Sequence, residues 1–220
     1  MTKTLSSRLI FLLTLFLLST GCFIALAIEV VLEKEDQFDR HVISFLEAHD
    51  SPFIDKVFNG LTFFGSIGFL ASAFFGLALY LFIIKRKKDA AGVALTAIAS
   101  TVLLELLKFI FKRSRPEMPV FDKLSSYSFP SGHSFHSFIF YSVVALLIWK
   151  TGFSKKWKTV LSVLLGIVVL SIGLSRILLR YHYASDVAGG FCLGISCISA
   201  YLIFRTIRPA KQAGFLKKNG

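Results

Sequence analysis

The chain has 220 residues, of which 55% are hydrophobic and only 17% charged, and 24 of them are Phe. That is more apolar than a water-soluble domain, whose apolar share is nearer half, and the composition reads as that of a membrane protein. A net charge of +12 points to nucleic acid only where Lys and Arg form a face or stripe; here they sit in short clusters between apolar runs, so no nucleic-acid partner is expected.

A hydrocarbon core about 30 Å thick takes roughly 20 residues of helix, and six windows nearly free of charge approach that length. The first, 9–28, follows Lys3 and Arg8. It ends in Ala25-Leu26-Ala27, which resembles a cleavage site, but the run is longer than the apolar region of a typical signal peptide. Residues 33–57 are acidic yet carry Phe38, Val42, Phe45 and Leu46 at helical spacing, which predicts an amphipathic helix in the interface. Ser51-Pro52 has the pattern of an N-cap with proline in the first helical position. The second span, 57–84, is longer than a bilayer requires; the third, 90–107, is interrupted only by Glu105. Spans at 134–149, 159–175 and 187–204 are slightly short, with flanking Lys and Arg able to snorkel. The expectation is an all-α, polytopic membrane protein: one domain over 1–220, six transmembrane helices and an interfacial amphipathic helix between the first two. Cys22, Cys192 and Cys197 all lie in apolar segments without CxxC or Cys/His spacing, so neither a disulfide framework nor a zinc site is expected.

Cytoplasmic loops carry the Lys/Arg excess. Placing the N-terminus inside assigns fifteen of the 25 cations to the inner face, against ten on the outer side, where eleven acids accompany them. Both termini are then cytoplasmic. Lys108, Lys112, Arg113, Arg115, Arg176 and Arg180 nevertheless fall on the outer side, where cations should be scarce.

Those cations belong to two of the three segments predicted to lie at one membrane face, 108–116, 128–133 and 175–186, the middle one contributing His133. Together they supply what phosphoryl transfer needs, because its transition state spreads negative charge over three oxygens and is stabilised by positioned cations and donors. Arg115 and Arg176 offer planar forks, and Lys108 a point charge. Ser131 and the Gly132 amide sit where a helix begins, so free N–H groups and the positive helix end face an anion. His133 and His182 can act as acid and nucleophile near neutral pH. Asp186, four residues after His182, can accept its Nδ1 proton if the sixth helix starts early enough, leaving Nε2 free to attack phosphorus. No carboxylate cluster has metal-ligand spacing, so no metal or other cofactor is expected.

At these residues the chain resembles the type 2 phosphatidic acid phosphatase family, which includes bacterial phosphatidylglycerophosphate and undecaprenyl pyrophosphate phosphatases and is related to vanadium haloperoxidases. The likeness rests on K-x6-RP at 108–116, PSGH at 130–133 and SR-x5-H-x3-D at 175–186. It implies a phosphohistidine on His182 supported by Asp186, acid catalysis by His133, and phosphate binding by Lys108, Arg115, Ser131, Gly132 and Arg176. It also implies a lipid phosphate substrate, which would keep its tail in the bilayer and reach the site laterally, on the outer face that the cation asymmetry predicts. The competing readings are a haloperoxidase, whose relatives are soluble as this chain is not, and a transporter or scramblase that binds lipid phosphates without chemistry. Outside the signature, Lys112, Arg113 and Arg180 read as headgroup contacts, His136 as packed within the fourth span, and Glu105 as a partner of Lys108 or of substrate. His41 and His49 read as interfacial surface.

Overall fold

The computed structural model describes residues 6–33, 37–49, 51–117, 119–121 and 125–216. Of the charges used to orient the chain, Lys3, Lys34, Glu35, Asp36, Asp50, Asp122, Lys123, Lys217 and Lys218 lie outside the described residues.

Every regular element among the described residues is helical: α1 (Ser7–Glu33), α2 (Gln37–Ala48), α3 (Pro52–Thr62), a short 3-10 turn (Phe63–Gly65), α4 (Ile67–Ile83), α5 (Lys87–Phe111), α6 (Gly132–Ile148), α7 (Lys155–Leu178) and α8 (Ala184–Leu216). In hydrocarbon only internally satisfied backbone is tolerated, and the long apolar runs satisfy theirs as helices. α1, the α3–α4 unit, α5, α7 and α8 are each long and apolar enough to cross a membrane; α6, with 17 residues, is the shorter sixth span. Large apolar side chains such as Phe11, Phe75, Val102 and Leu170 are exposed on the outside of the bundle, where lipid rather than water receives them.

The second span, expected over 57–84 and longer than a bilayer requires, is divided by the Phe63–Gly65 turn into α3 and α4. Two local features account for the break. Ser66 adopts an extended conformation and caps α4, its hydroxyl accepting from the Phe69 amide at 3.3 Å. Gly65 sits where no side chain fits, since a Cβ there would lie 2.4 Å from Ile172 Cγ2 and 3.3 Å from His133 Cδ2. The Phe64 carbonyl released by the turn accepts a hydrogen bond from the Tyr141 hydroxyl at 3.1 Å. α3 starts after Ser51 with Pro52 in its first turn, as expected, though the Ser51 side chain makes no capping bond.

α2 is helical as predicted, and it turns a second set of residues towards the protein. Asp39 is fully buried and Val42, Ile43 and Leu46 are partly buried, whereas Phe38 and Phe45 are exposed. The inward face therefore runs at i, i+3, i+4 and i+7 from an aspartate.

The core lies between α4, α5, α6, α7 and α8 and is filled by Leu70, Phe74, Val93, Leu104, Phe135, Ile139, Ile172 and Leu193. α1 packs along α8: Ser19 and Thr20 hydroxyls meet Ser196 Oγ at 2.8 and 3.1 Å, and Phe23 stacks on Phe129 at 5.7 Å. Such interhelical hydroxyl bonds contribute about 0.6 kcal/mol each, so the alignment of α1 owes more to packing than to them.

Two glycines let α8 pack closely against the start of α6 and the loop before it. A Cβ on Gly190 would lie 2.8 Å from the Ser131 carbonyl oxygen and 3.0 Å from Ser134 Cβ, and one on Gly189 would lie 2.6 Å from the Phe129 ring. Small residues permit this approach of backbones within a membrane. Gly190→Ala is expected to destabilise the protein by about 1–3 kcal/mol through overpacking, read as a lower melting temperature in detergent; an unchanged melt would mean that the two helices do not cross so closely.

Candidate active site

The three signature segments meet at one end of the bundle, where α5 and α7 end and α6 and α8 begin. Backbone hydrogen bonds stitch them together. Ser128 N–H donates to the Arg113 carbonyl (2.9 Å), Ser131 N–H to that of Asp186 (3.0 Å), and Val120 N–H to that of Leu179 (3.2 Å). The amides of Tyr181 and His182 both donate to the Arg176 carbonyl, at 3.0 and 3.1 Å. Lys112 closes α5 in a left-handed conformation (φ 47°), its N–H bonding the Lys108 carbonyl, and this turns the chain from α5 towards Arg115.

α8 begins at Ala184, so His182 precedes the helix instead of sharing a helical face with Asp186. The contact forms by capping: Asp186 turns back, and its Oδ2 accepts the Tyr183 amide at 2.9 Å while standing 3.3 Å from His182 Nδ1. Ser128 Oγ also donates to Oδ2, and Arg113 Nη1 donates to Oδ1 at 2.7 Å. On the far side of the imidazole, Arg115 Nη1 lies 3.0 Å from Nε2. A guanidinium only donates, so Nε2 carries the lone pair and Nδ1 the proton directed at Asp186. Burial pushes the His182 ring down to about 3 against the upward pull of the Asp186 carboxylate, and the ring is neutral at physiological pH.

His133, the second residue of α6, is half-buried, and the charges of Arg176, Arg115 and Lys108 all act on its ring. Lys108 is buried, its ammonium 3.8 Å from where a Cβ on Gly132 would lie. Arg176 is buried against the Tyr181 ring, 4.2 Å from the ring centroid; its Nη1 donates to Thr62 Oγ1 at 2.8 Å, while its Nε is buried without a hydrogen-bond partner. Arg115 is held by the Ser126 carbonyl and hydroxyl and by the Tyr181 carbonyl, the first and last at 2.7 Å and the hydroxyl at 2.9 Å. Ser131 caps α6: its oxygen accepts from the Ser134 amide and hydroxyl, and its own proton remains available to donate. The arrangement gathers Lys108, Arg115 and Arg176 beside the first turn of a helix, a setting that favours a small, multiply charged anion.

Arg113 and Arg180 depart from the headgroup reading, because both are buried. Arg113 joins two carboxylates, Asp186 at 2.7 Å and Asp39 at 2.8 Å. Burial opposes its charge, but these carboxylates outweigh burial and hold its proton above the ordinary arginine value. Lys112 is exposed, its ammonium 4.6 Å from the Phe109 ring centroid. Glu105 is exposed on α5, near enough to act on the charge of Lys108. His136 lies in α6 beside Phe135, with Nε2 buried and without a hydrogen-bond partner. His41 and His49 are exposed and bond carbonyls of their own helix. The sequence reading gave no role to Asp39, Thr62, Ser128 or Ser185, although Ser128 and Ser185 lie inside two of the signature segments and Asp39 stands at i, i+3, i+4, i+7 register with Val42, Ile43 and Leu46.

Among the described residues no group of three or more His, Cys, Asp or Glu is placed to hold a metal ion, and Cys22, Cys192 and Cys197 are free thiols. A cleft of about 280 Å³ lies towards the opposite end of α5, α6 and α8, lined by Lys88, Leu103, Val143 and Arg205 among others. Another, of about 440 Å³, faces α6 and α7 near Tyr141 and Gly166. No signature residue lines either of them.

The PAP2 superfamily matches residues 89–209, a stretch that contains all three segments. The chain is 31% identical over 145 residues to phosphatidylglycerophosphatase B of Bacillus subtilis, covering 66% of this chain and 71% of that protein. It is 33% identical over 153 residues to decaprenylphosphoryl-5-phosphoribose phosphatase of Mycobacterium tuberculosis, covering 66% and 77%. Its fold superposes on the crystal structure of a transmembrane PAP2 type phosphatidylglycerolphosphate phosphatase from Bacillus subtilis with a TM-score of 0.77 and 27% identity, over 90% of this chain and 96% of that one. The crystal structure of Aquifex aeolicus LpxE shares the fold with a TM-score of 0.59 at 24% identity, over 79% of this chain and 98% of that one. By its signature segments, its bundle and these likenesses, the chain belongs to the PAP2 superfamily and is a membrane-embedded phosphatase.

Proposed function

We propose that the protein removes a terminal phosphate from a membrane lipid through a phosphohistidine on His182, without a metal. The observation that carries this reading is the His182 ring itself, neutral, with Nδ1 on Asp186 and the Nε2 lone pair on Arg115, which exchanges it for a phosphate oxygen before attack. Lys108, Arg115, Arg176, the Ser131 hydroxyl and the Gly132 amide bind the phosphate oxygens. Nε2 attacks phosphorus in line with the departing oxygen, which takes a proton from His133 as the P–O bond breaks. A water then attacks phosphorus and gives a proton back to His133; the P–N bond breaks, phosphate leaves, and both histidines return to their starting states. Asp186 stabilises the charge that develops on the His182 ring during attack.

The two curated relatives are named for lipids that end in a phosphate carried on a polar group, so a phosphatidylglycerophosphate-type lipid is the leading substrate. Undecaprenyl pyrophosphate and phosphatidate present related phosphates and are its competitors. Such a substrate keeps its tail in the bilayer and reaches the site laterally. We place that site on the outer face, with both termini cytoplasmic, on the asymmetry of Lys and Arg between the two ends of the bundle.

Purified protein should release phosphate from phosphatidylglycerophosphate faster than from the other two lipids. Release should persist in EDTA, and His182→Ala should lower it by about 10³-fold or more. Equal release by wild type and variant would remove His182 as nucleophile, and loss in EDTA that magnesium restores would refute the metal-free mechanism. A non-catalytic transporter or scramblase would release no phosphate at all. For sidedness, Ser125→Cys in the α5–α6 connection should react with an impermeant maleimide in intact cells; reaction only after permeabilisation would invert the topology.

A further inference from the structure

The helix between the first two spans reads from sequence as an amphipathic helix in the interface, yet it sends one fully buried carboxylate towards the site. Asp39 Oδ2 takes Arg113 Nη2 at 2.8 Å and also the Ser185 hydroxyl, while Oδ1 takes the Ser185 amide at 3.0 Å. Arg113 Nη1 bonds Asp186 Oδ1 and Ser185 Oγ, both at 2.7 Å. The Arg113 guanidinium lies 4.3 Å from the centroid of the Tyr183 ring, next to His182.

We propose that Asp39 is a positioning residue of the phosphatase site, acting through Arg113 and Ser185 to hold Asp186 in the orientation that serves His182. Two physical arguments support it. A guanidinium fork left with a single carboxylate pairs with it bidentately, which would take both Asp186 oxygens. Asp39 divides the fork: one Nη serves each carboxylate, and Asp186 Oδ2 stays with His182, Ser128 and the Tyr183 amide. Asp39 also accepts an amide of the first turn of α8, where a carboxylate satisfies an orphan donor and complements the positive helix end. It thereby fixes the turn from which Asp186 projects. Charge balance points the same way, since Asp39 and Asp186 share one Arg113 cation and leave a net negative charge to face the imidazolium formed during attack.

The proposal rests on the nucleophile reading given above, and the experiment separates the two. Phosphate release from phosphatidylglycerophosphate is measured for the full chain, on the monodisperse fraction that elutes with wild type, so that misfolding lowers yield and not the measured rate. Asp39→Asn should reduce kcat by about 10-fold, as expected for misplacement of a reacting group from a distance, with KM unchanged. Arg113→Gln, which leaves two buried carboxylates uncompensated, should reduce it further. Asp39→Asn/Arg113→Gln restores a single buried anion and should be faster than Arg113→Gln alone, a rescue that independent structural defects do not give. Wild-type kcat in Asp39→Asn, a change confined to KM, or a double variant no faster than Arg113→Gln would overturn the proposal. Activity surviving in His182→Ala would instead overturn the nucleophile reading, whatever Asp39→Asn does.

Discussion

The site is organised by the burial of one carboxylate. An ionised carboxyl group removed from water is tolerated only when its oxygens are fully hydrogen-bonded and its charge is compensated. Asp186, wholly buried, meets that condition with the Tyr183 amide, the Ser128 hydroxyl, the His182 ring and the Arg113 guanidinium. Those groups come from the start of α8, the loop before α6 and the loop after α5, so satisfying Asp186 brings the three segments together. The cations beside it remain under-compensated. Lys108, Arg115 and Arg176 are close enough to act on His133 and on one another, and on the proposed reading an entering phosphate would relieve this mutual repulsion. Affinity for an anion is in that sense stored in the fold.

Much of this was legible in the chain because its physical causes are local. Span length follows from bilayer thickness, and the convergence of Lys108, Arg115, His133, Arg176, His182 and Asp186 follows from counting spans and placing the segments at their ends. What escaped depends on contacts distant in sequence. Arg113 and Asp39 are 74 residues apart, and a cation at a membrane edge ordinarily meets headgroups; only the bundle shows that it is buried between two acids. On α2, phenylalanine is welcome both in a protein core and in lipid, so hydropathy alone does not say which face turns towards the protein.

The break in the second span was invisible for a related reason: hydropathy stays high through Phe63, Phe64 and Gly65, although the helix stops there. Its functional weight is clear only in three dimensions. The turn lets Thr62 reach Arg176 and brings bare backbone at Gly65 against the His133 ring and Ile172. One wall of the His133 environment is therefore main chain, which does not change rotamer, and the ring has less freedom than a histidine bounded by side chains alone.

The brevity of α6 sets the level at which all of this happens. Seventeen residues make a helix about 25 Å long, roughly 5 Å less than the hydrocarbon it stands in. Its far end carries Trp149 and Lys150, both exposed, residue types that anchor at a lipid–water boundary. With that end moored, the end bearing Ser131, Gly132 and His133 stops short of the opposite headgroups. On the proposed reading, the reacting phosphorus would sit slightly sunken in the leaflet, and a lipid substrate would arrive by sideways diffusion and a shallow dip of its head, without being drawn up into water.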